Sequence, residues 1–335
     1  MKKIVCFGEI LLRLSPADFK RLIQSEQFEA TYGGSEANVA VALSEYGKST
    51  SFVTKLPDNE IGQTAVNSLR RYGVNTSNIV RGGERIGIYF YERGADPRPS
   101  RVIYDRAHSS ISDAERSDFD WTKIMKDAEW FHFSGITPAL SDNAAEITMD
   151  AVLAAKKAGA TVSVDLNYRK KLWKIEKANK VMSNLVKHCD VVIGAIEDMK
   201  NTFDIAAGLE DEDDKNLINV MQSLMSQFDL KCIAVPMRKT INGGEISWHS
   251  VLYDGSNCYK SKNYTSRVVD RIGAGDAFGA GIIYGLGSGY DMKQTLEYAT
   301  ASSCLKHTIE GDFNNITVKE VEDFMAAGSS DNLER

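Results

Sequence analysis

The segment that decides the fold is Val268-Val269-Asp270-Arg271-Ile272-Gly273-Ala274-Gly275-Asp276-Ala277-Phe278, in which a strand-like start meets a glycine turn that opens a helix. Glycines at a helix start let backbone N–H groups converge on an anion, and the helix macrodipole adds to the attraction. The turn Gly273–Gly275 therefore predicts a phosphate cradle. Its neighbour Asp276 carries a charge that disfavours simple phosphate binding, so the carboxylate needs a chemical role. A general base for a hydroxyl that attacks a phosphoryl group would lie here.

Two other interpretations of this turn remain open at this point. The spacing of Gly273, Gly275 and Gly279 loosely matches a dinucleotide-binding fingerprint, although Asp276 would then direct its charge at the pyrophosphate. In the other interpretation the turn is structural and Asp276 only caps the helix, which is the commoner role for an isolated motif of this kind. Further motifs are needed to decide.

On both sides of the turn, short β-branched runs alternate with helical stretches. The predicted strands include Ile4–Phe7, Thr161–Val164, Val191–Ile193 and Lys231–Val235. The predicted helices include Glu36–Tyr46, Ala144–Lys157 and Ala277–Leu286. This alternation is typical of a parallel sheet that is covered on both faces by helices. The sequence therefore predicts a doubly wound α/β core.

One stretch interrupts this alternation. Ile86–Glu92 and Arg101–Arg106 have the pattern of two strands with no helix between them, joined by the turn-rich segment Gly94–Pro99. We expect them to form a small second sheet that stands off the main one. Because no linker rich in proline, glycine and serine divides the chain, residues 1–335 are predicted to form a single domain.

The composition excludes several classes of protein. The chain has 40 Lys and Arg against 46 Asp and Glu, a formal net charge of −6, which argues against a general surface for nucleic acid or anionic membranes. Its 5 cysteines are widely spaced and lack a CxxC pair, so neither a disulfide framework nor a zinc site is predicted. The uncharged run Ile4–Gly8 is too short for a signal-peptide core or a membrane span. We therefore expect a cytoplasmic protein.

A second glycine pair opens another predicted helix, in Gly33-Gly34-Ser35-Glu36-Ala37-Asn38. Asn38 lies one turn inside that helix, where its amide would face whatever the two glycines approach. The glycine pair, the helical asparagine and the later GAGD turn together resemble the ribokinase-like (PfkB) carbohydrate kinase superfamily, over Ile4 to about Phe324. The resemblance implies a three-layer α/β/α sandwich with a mostly parallel central sheet. It also implies a small β-sheet lid, formed by about residues 11–31 and 86–106, on a core formed by the remainder.

Three further segments narrow the resemblance to bacterial 2-keto-3-deoxygluconate kinases. They are residues 92–106, Asp165-Leu166-Asn167-Tyr168-Arg169 and Leu252-Tyr253-Asp254-Gly255. The resemblance implies ATP-dependent phosphorylation of 2-keto-3-deoxy-D-gluconate on its primary 6-hydroxyl, giving 2-keto-3-deoxy-6-phosphogluconate. A kinase for a neutral sugar such as fructose, or for a nucleoside, is one alternative. A sugar-acid-binding regulator without catalysis is another.

The resemblance also implies roles for individual residues. Asp276 is expected to be the catalytic base, beside an anion hole made by the N–H groups of Gly273, Ala274 and Gly275. Substrate contacts are expected from Gly33, Gly34, Asn38, Tyr89, Tyr104, Arg106, Arg169 and Asp276. ATP contacts are expected from Asn167, Arg169, Arg238, Gly273, Gly275 and His307.

Two arginines are the candidates for binding the carboxylate of a sugar acid. A planar guanidinium fork suits a carboxylate, and Arg106 and Arg169 each lie in a segment that matches the family. Strand alternation puts Tyr104 and Arg106 on one face, so a ring and a guanidinium would project together. The commoner role of an arginine, a surface ion pair, fits two arginines in matching motifs poorly.

Cofactors follow from the same resemblance. Magnesium is expected to bridge the phosphates of ATP, with Glu197 contributing indirectly. The family usually has Asn-x-x-Glu at this point, whereas this chain has Gly194-Ala195-Ile196-Glu197. A monovalent cation such as K⁺ is expected near Asp270 and Ile272. Pro236 lacks an N–H, which predicts that the strand containing it ends early.

The lid has two expected consequences. It would exclude water from the reaction and so prevent wasteful hydrolysis of ATP. Its exposed strand edges would let a second copy of the chain pair with it to form a homo-oligomer. The expected partners are therefore a sugar acid and ATP, with no nucleic acid and no membrane.

Overall fold

The fold is described from a computed structural model, which covers residues 2–203, 205, 214–242 and 244–327. The strands are β1 (Lys3–Phe7), β2 (Leu11–Ser15), β3 (Glu29–Gly33), β4 (Thr50–Val53), β5 (Lys55–Leu56), β6 (Val80–Arg81), β7 (Ile88–Glu92), β8 (Arg101–Asp105), β9 (Ala128–Ser134), β10 (Thr161–Asp165), β11 (Val191–Ile193), β12 (Cys232–Asn242), β13 (Glu245–Tyr253), β14 (Cys258–Lys260) and β15 (Tyr264–Arg267). The helices are α1 (Ser35–Glu45), α2 (Glu60–Arg70), α3 (Trp121–Ile124), α4 (Asp142–Lys157), α5 (Ile175–Val186), α6 (Ile196–Phe203), α7 (Asp214–Gln227), α8 (Ala274–Gly287), α9 (Met292–Lys306) and α10 (Val318–Ala327). None of these described helices combines the length and the apolar character that crossing a bilayer requires.

A large central sheet organises these elements. Its strand order is β14-β13-β12-β11-β10-β9-β1-β4, with β15 also paired to β13. From β4 to β12 neighbouring strands run parallel, and β13, β14 and β15 add an antiparallel edge. The predicted mostly parallel sheet is therefore confirmed.

Helices cover both faces of this sheet because successive side chains of each strand point to opposite sides. In β1, Val5 and Phe7 pack into the apolar cluster that includes α4, α5 and α7. Ile4 and Cys6 pack into the other cluster, with α1, α8 and α9. Burial on both faces explains why the strands are nearly continuous apolar runs. The predicted three-layer α/β/α architecture is confirmed.

The expectation that Pro236 ends its strand is wrong. The strand β12 continues through Pro236, which lies opposite Ser250 of β13. Ser250 exchanges backbone and side-chain hydrogen bonds with Ser261, on the side away from β12. The nitrogen of Pro236 therefore faces the other side, where β11 has already ended at Ile193. Its missing N–H deprives no neighbouring strand of a hydrogen bond, so the proline is tolerated.

A separate small sheet has the strand order β3-β2-β7-β8. The hairpin predicted at its edge is present, with Tyr89 of β7 directly opposite Tyr104 of β8. Because β2 pairs in parallel with β7, the two segments expected in the lid form one continuous sheet. The small second sheet is thus confirmed, whereas its action as a lid and the single-domain organisation stay predictions.

Candidate active site

A cavity of about 320 Å³ lies where the small sheet meets the carboxyl ends of the parallel strands. In open α/β sheets the carboxyl ends of the strands are the usual place for ligands. The ends of β10 and β11, the starts of α1 and α8, and strands β7 and β8 all contribute to its lining. The structure brings together at this cavity most of the residues predicted from the sequence: Gly33, Gly34, Asn38, Tyr89, Tyr104, Arg106, Asn167, Arg169, Gly273, Gly275 and Asp276.

Asp276 lies in the first turn of α8, where two side chains from the start of α1 hold its carboxylate. Ser35 Oγ donates to one oxygen at 2.9 Å, and Asn38 Nδ2 donates to the other at 2.6 Å. The Asn38 amide is itself oriented, because its oxygen accepts from the N–H of Gly34 at 3.2 Å. The N-cap of α8 is Gly273. The interpretation of Asp276 as no more than a helix cap is therefore wrong.

The surroundings of Asp276 suit a proton acceptor. Burial raises the pKa of its carboxyl above the ordinary value, and the hydrogen bonds from Asn38 and Ser35 partly oppose that rise. Both donors are neutral, so they orient the carboxylate without cancelling its charge. A carboxylate in this condition can take a proton from a hydroxyl group placed next to it.

The turn before Asp276 lies at the cavity, which Gly273 and Gly275 line. Gly273 has a φ of 82°, and a Cβ there would lie 2.1 Å from the carbonyl oxygen of Asp312, so glycine is required. The first N–H groups of α8 have no partner within the helix. At Gly275 a Cβ would meet no atom within 4 Å, which leaves the turn open. Ala274 is buried, and its carbonyl accepts from Ser303 Oγ at 2.6 Å. This is the arrangement that an anion hole needs.

The other glycine pair is required by close packing within the protein. A Cβ on Gly33 would lie 1.9 Å from the carboxylate of Asp312, and one on Gly34 would lie 2.0 Å from the carbonyl oxygen of Glu9. Both glycines also line the cavity. They let β3 and α1 approach the centre of the site closely enough for Asn38 to reach Asp276.

At the other end of the cavity, the small sheet supplies two rings and a guanidinium. The ring centroids of Tyr89 and Tyr104 are 5.9 Å apart, and the Arg106 guanidinium lies 5.3 Å from the Tyr104 ring centroid. Arg106 forms an ion pair with buried Glu9. Its Nε atom is buried and has no hydrogen-bond partner among the described residues. A donor is thus left for an acceptor that the protein does not supply.

Arg169 lies near three carboxylates of the cavity, those of Asp165, Asp198 and Asp276. Within the described chain its side chain donates one hydrogen bond, to the carbonyl of Tyr168 at 3.3 Å. Burial raises the pKa of Asp165 and of Asp198, and the positive charge of Arg169 opposes the rise at both. It does the same at Asp276. Arg169 therefore balances negative charge in this part of the cavity.

Four predicted residues lie outside the lining: Glu197, Arg238, Ala274 and His307. His307 is 1% exposed, and its Nδ1 is hydrogen-bonded to the carbonyl of Ser303 at 2.8 Å. Burial lowers its pKa to about 4, so the ring is neutral at physiological pH. The Glu197 side chain is 69% exposed and pairs with Lys200, whereas the next residue, Asp198, lines the cavity.

Arg238 lies on β12 close to Arg271, which does line the cavity. Partial burial and the charge of Arg271 lower the pKa of Arg238. Two neighbouring cations repel each other, and an anion bound near both relieves that repulsion. The pair is therefore suited to the phosphates of a nucleotide.

Several site residues escaped the sequence reasoning. Ser35 follows the glycine pair and Arg271 lies inside the GAGD segment, so proximity to a motif could have found both. Asp198 is one position from a residue that was singled out. No local signal marks Glu9 or Asp312, because their partners are distant in the sequence.

A buried ion cluster fastens the small sheet to the rest of the site. Arg13 of β2 donates to Asp270 at 2.7 Å and to Asp312 at 2.8 Å. The hydroxyl of Tyr89 also donates to Asp312, at 2.6 Å. Asp270 in turn accepts from the N–H of Ile272 at 3.0 Å, just before the turn Gly273–Gly275. Strands β2 and β7 are thus tied directly to the two loops that flank Gly273.

Comparison with known proteins agrees with this geometry. The family model described as pfkB family carbohydrate kinase matches residues 1–317. A 2-dehydro-3-deoxygalactonokinase of Haloferax volcanii is 34% identical over 328 residues, which cover 98% of each chain. A 5-dehydro-2-deoxygluconokinase of Clostridium perfringens is 28% identical over 330 residues, 96% of this chain and 92% of that one. The crystal structure of 2-dehydro-3-deoxygluconokinase from Thermotoga maritima is 44% identical, covers 98% of this chain and 100% of that one, and has a TM-score of 0.95.

Proposed function

This chain belongs to the pfkB family of carbohydrate kinases, and on that premise we propose that it phosphorylates 2-keto-3-deoxy-D-gluconate on its 6-hydroxyl. ATP is the proposed phosphate donor, and 2-keto-3-deoxy-6-phosphogluconate is the product. Family membership itself confirms the predicted superfamily and a sugar kinase activity. The three relatives compared above all have names of kinases for keto-deoxy sugar acids, which supports this substrate class.

The observation that carries the proposal is the guanidinium of Arg106. Its Nε has no hydrogen-bond partner among the described residues, and it lies beside the Tyr104 ring at the cavity. Glu9 already pairs with this guanidinium, and the carboxylate of a sugar acid would add a second charged acceptor for the free Nε donor, which a neutral sugar does not offer. Arg169 is the second candidate for this carboxylate. These two residues favour a sugar acid over fructose, ribose or a nucleoside.

The proposed reaction is an in-line phosphoryl transfer. The 6-hydroxyl oxygen attacks the γ-phosphorus, its proton passes to the Asp276 carboxylate, and ADP leaves. Ser35 and Asn38 hold the carboxylate in one orientation throughout. The N–H groups of Gly273, Ala274 and Gly275 stabilise the negative charge that develops on the transferred group. In this mechanism the protein contributes positioning and electrostatics rather than covalent chemistry.

We propose that the nucleotide phosphates bind near Arg238 and Arg271, whose mutual repulsion an anion would relieve. The predicted contacts Asn167, Arg169, Gly273 and Gly275 line the same cavity and remain candidates, whereas buried His307 would act only through its neighbours. Magnesium neutralises phosphate charge and keeps several of its waters, so one carboxylate suffices for it. Asp198, which lines the cavity, fits that role better than the exposed Glu197.

The substrate assignment is tested by ADP release over a panel of acceptors. The panel holds 2-keto-3-deoxygluconate, its galactonate epimer, 5-keto-2-deoxygluconate, fructose, ribose and a nucleoside. We expect the highest kcat/KM for 2-keto-3-deoxygluconate, and the D276N variant controls for contaminating kinases. Turnover of fructose or ribose with none of the acids would contradict the proposal. Binding of a sugar acid without any turnover would instead favour the regulator alternative.

A second experiment separates acid recognition from general binding. Removing a charged hydrogen-bond partner costs about 10- to 100-fold in affinity, so R106A should raise KM for the sugar acid by that factor. The same variant should change KM much less for any neutral sugar that turns over. R85A is the matched control, because Arg85 pairs with Asp105 nearby and does not line the cavity. R169A is compared in the same way, and equal effects on acids and neutral sugars would remove the carboxylate role.

We further propose a cytoplasmic protein in which the small sheet closes over the site and pairs with a second copy. The outer strand β8 is an open edge, and Ile103 on it is 53% exposed. Exposed edge strands with apolar side chains favour pairing between chains. Light scattering of the wild type and of I103E tests this, and a wild-type monomer would contradict it.

A further inference from the structure

A lysine ammonium is buried directly behind the anion hole. Lys306, the last residue of α9, is 0% exposed, and its Nζ donates to the carbonyl oxygens of Ile309 at 3.0 Å and Gly311 at 2.8 Å. Its Cε lies 3.3 Å from the position that a Cβ on Gly273 would occupy. Lys306 does not line the cavity, and the proposed phosphoryl transfer does not use its ammonium. Burying a charged group away from water costs free energy, so this ammonium needs interactions that compensate it.

Charge balance supplies one part of that compensation. Arg13, Asp270, Asp312 and Lys306 are all nearly inaccessible to solvent, and together they hold two positive and two negative charges. Arg13 bonds to both carboxylates. Burial lowers the pKa of Lys306, and the charges of Asp270 and Asp312 oppose that effect. Without the ammonium, one buried negative charge would be left uncompensated.

Geometry supplies the other part. After α9 the chain turns so that two carbonyl oxygens, of Ile309 and Gly311, converge on one point beside a carboxylate pair. Carbonyl oxygens and carboxylates in this arrangement are ligands for a bare cation. The resemblance stated above predicts a monovalent cation near Asp270 and Ile272. At that place the structure has the Lys306 ammonium.

We propose that the Lys306 ammonium is a built-in substitute for a monovalent cation, so that the kinase reaches its full rate without K⁺. Lys306 is a positioning residue in this proposal, which rests on the proposed reaction at Asp276. It fixes the carbonyl of Gly311, and the next residue, Asp312, packs its own carbonyl against Gly273. The ammonium thereby holds the N–H groups of the anion hole in place. A displacement of about 1 Å in such a group can cost about 10²-fold in rate.

The test replaces the ammonium and offers a free cation in return. In K306A the side chain is truncated, which leaves a gap where a free cation could bind. Rates are then measured at constant ionic strength in tetramethylammonium, potassium or ammonium chloride. We expect the wild type to be equally active in all three salts. K306A should lose about 10²-fold in kcat in tetramethylammonium, with a smaller change in KM. Potassium or ammonium ions should restore its rate saturably.

Two further variants serve as controls. K306M keeps the volume of the side chain without its charge, so it should be slow in every salt. K55A removes a partly buried lysine that pairs with Asp118 at 2.7 Å outside the cavity. Its rates should be the same in all three salts. A K⁺ response in K55A equal to that in K306A would overturn the proposal.

Melting temperature gives a readout that needs no substrate. Potassium should raise the melting temperature of K306A more than tetramethylammonium does, and should not do so for the wild type. This result stands whichever sugar the enzyme uses, so failure of the substrate assignment remains distinguishable. A wild type that requires K⁺, or a K306A variant that is fully active in tetramethylammonium, would overturn the proposal. So would a slow K306A that no cation stabilises or activates.

Should both single variants fold but be too unstable for rate measurements, charge balance can still be tested by thermal melting. The double variant K306M/D270N removes one positive and one negative charge from the cluster. We expect it to melt at a higher temperature than K306M when both are prepared in the same buffer. Equal or lower stability of the double variant would show that uncompensated charge is not the cause, and the proposal would fail.

Discussion

Two carboxylates at the same cavity, Asp276 and Asp312, differ in what holds them. Asp276 accepts hydrogen bonds from Ser35 and Asn38, which are neutral. Asp312 accepts from the Arg13 guanidinium and from a tyrosine hydroxyl. Burial raises the pKa of both carboxyls, and at Asp312 it is chiefly the guanidinium that opposes the rise.

The difference distinguishes a carboxylate suited to accept a proton from one that stabilises the fold. A carboxylate bonded to a buried guanidinium is needed to compensate that charge, so it serves the fold. A carboxylate held by neutral donors keeps a fixed orientation together with its affinity for a proton. Substituting the first should therefore damage stability, and substituting the second should damage turnover.

The largest expected effect is on turnover in D276N. Loss of a general base should lower kcat by about 10²- to 10⁴-fold, with a smaller change in KM. Because the folded-state pKa of Asp276 is raised, its ionised form destabilises the fold at neutral pH, and the neutral amide should raise the melting temperature. Steady-state kinetics and thermal melting measure the two effects. Unchanged turnover would refute the assignment of Asp276 as the base.

The next effect is on stability in D312N, with the opposite sign. Burial raises the pKa of Asp312 as well, but here the neutral amide would leave two buried cations, Arg13 and Lys306, to share a single carboxylate. Breaking a buried ion pair costs about 3 to 5 kcal/mol, which outweighs the relief of burying one charge less. Urea unfolding at neutral pH measures this loss. D105N is the control, because the pair of Asp105 with Arg85 is exposed and screened by solvent, so its loss should change stability little. Equal losses in the two variants would remove the contrast between Asp276 and Asp312.

A smaller effect is expected on the pH profile of N38A. Asp276 must be ionised to accept the proton, so kcat/KM falls as the pH drops through its pKa. The bond from Asn38 lowers that pKa, and its removal should move the acid limb to higher pH. At neutral pH we expect about 10-fold lower kcat/KM, the worth of one hydrogen bond to a charged group. An acid limb at the same pH in both proteins would show that Asn38 does not tune the base.

The smallest effect is expected in S35A. The hydroxyl of Ser35 bonds to the other oxygen of Asp276 and also opposes the rise of its pKa. Removing it should move the acid limb in the same direction as N38A, with about 3-fold loss of kcat/KM at neutral pH. A shift in the opposite direction would mean that the hydroxyl does not act on the ionised form.

Local patterns predicted much of the fold, and residues far apart in the chain account for what they missed. The strand Val191–Ile193 and the hairpin that pairs Tyr89 with Tyr104 were predictable because alternation and turn residues are local signals. The acceptor role of Asp312 was not, because its partner Arg13 lies 299 positions away. No periodicity or motif encodes a contact over that separation.

A shift of one residue between a sequence motif and the cavity lining has a different physical origin. The phase of α6, which begins at Ile196, places Asp198 and not Glu197 at the cavity. Helix phase depends on where the first turn starts, and sequence patterns locate that start only to within a few residues. Pro236 shows the same limit for strands, because its effect depends on which neighbouring strand has already ended.

The ion pairs of Arg13 with Asp270 and Asp312 also constrain the order in which the chain can fold. Arg13 is 257 positions from Asp270 and 299 from Asp312, so nearly all of the polypeptide must be synthesised before its charge can be compensated. Contacts between residues so far apart in the sequence form slowly, because a long loop must be closed before the contact is made. During synthesis β2 has to stay hydrated, and the cavity can close only after residue 312 arrives. An incomplete chain therefore cannot assemble this site.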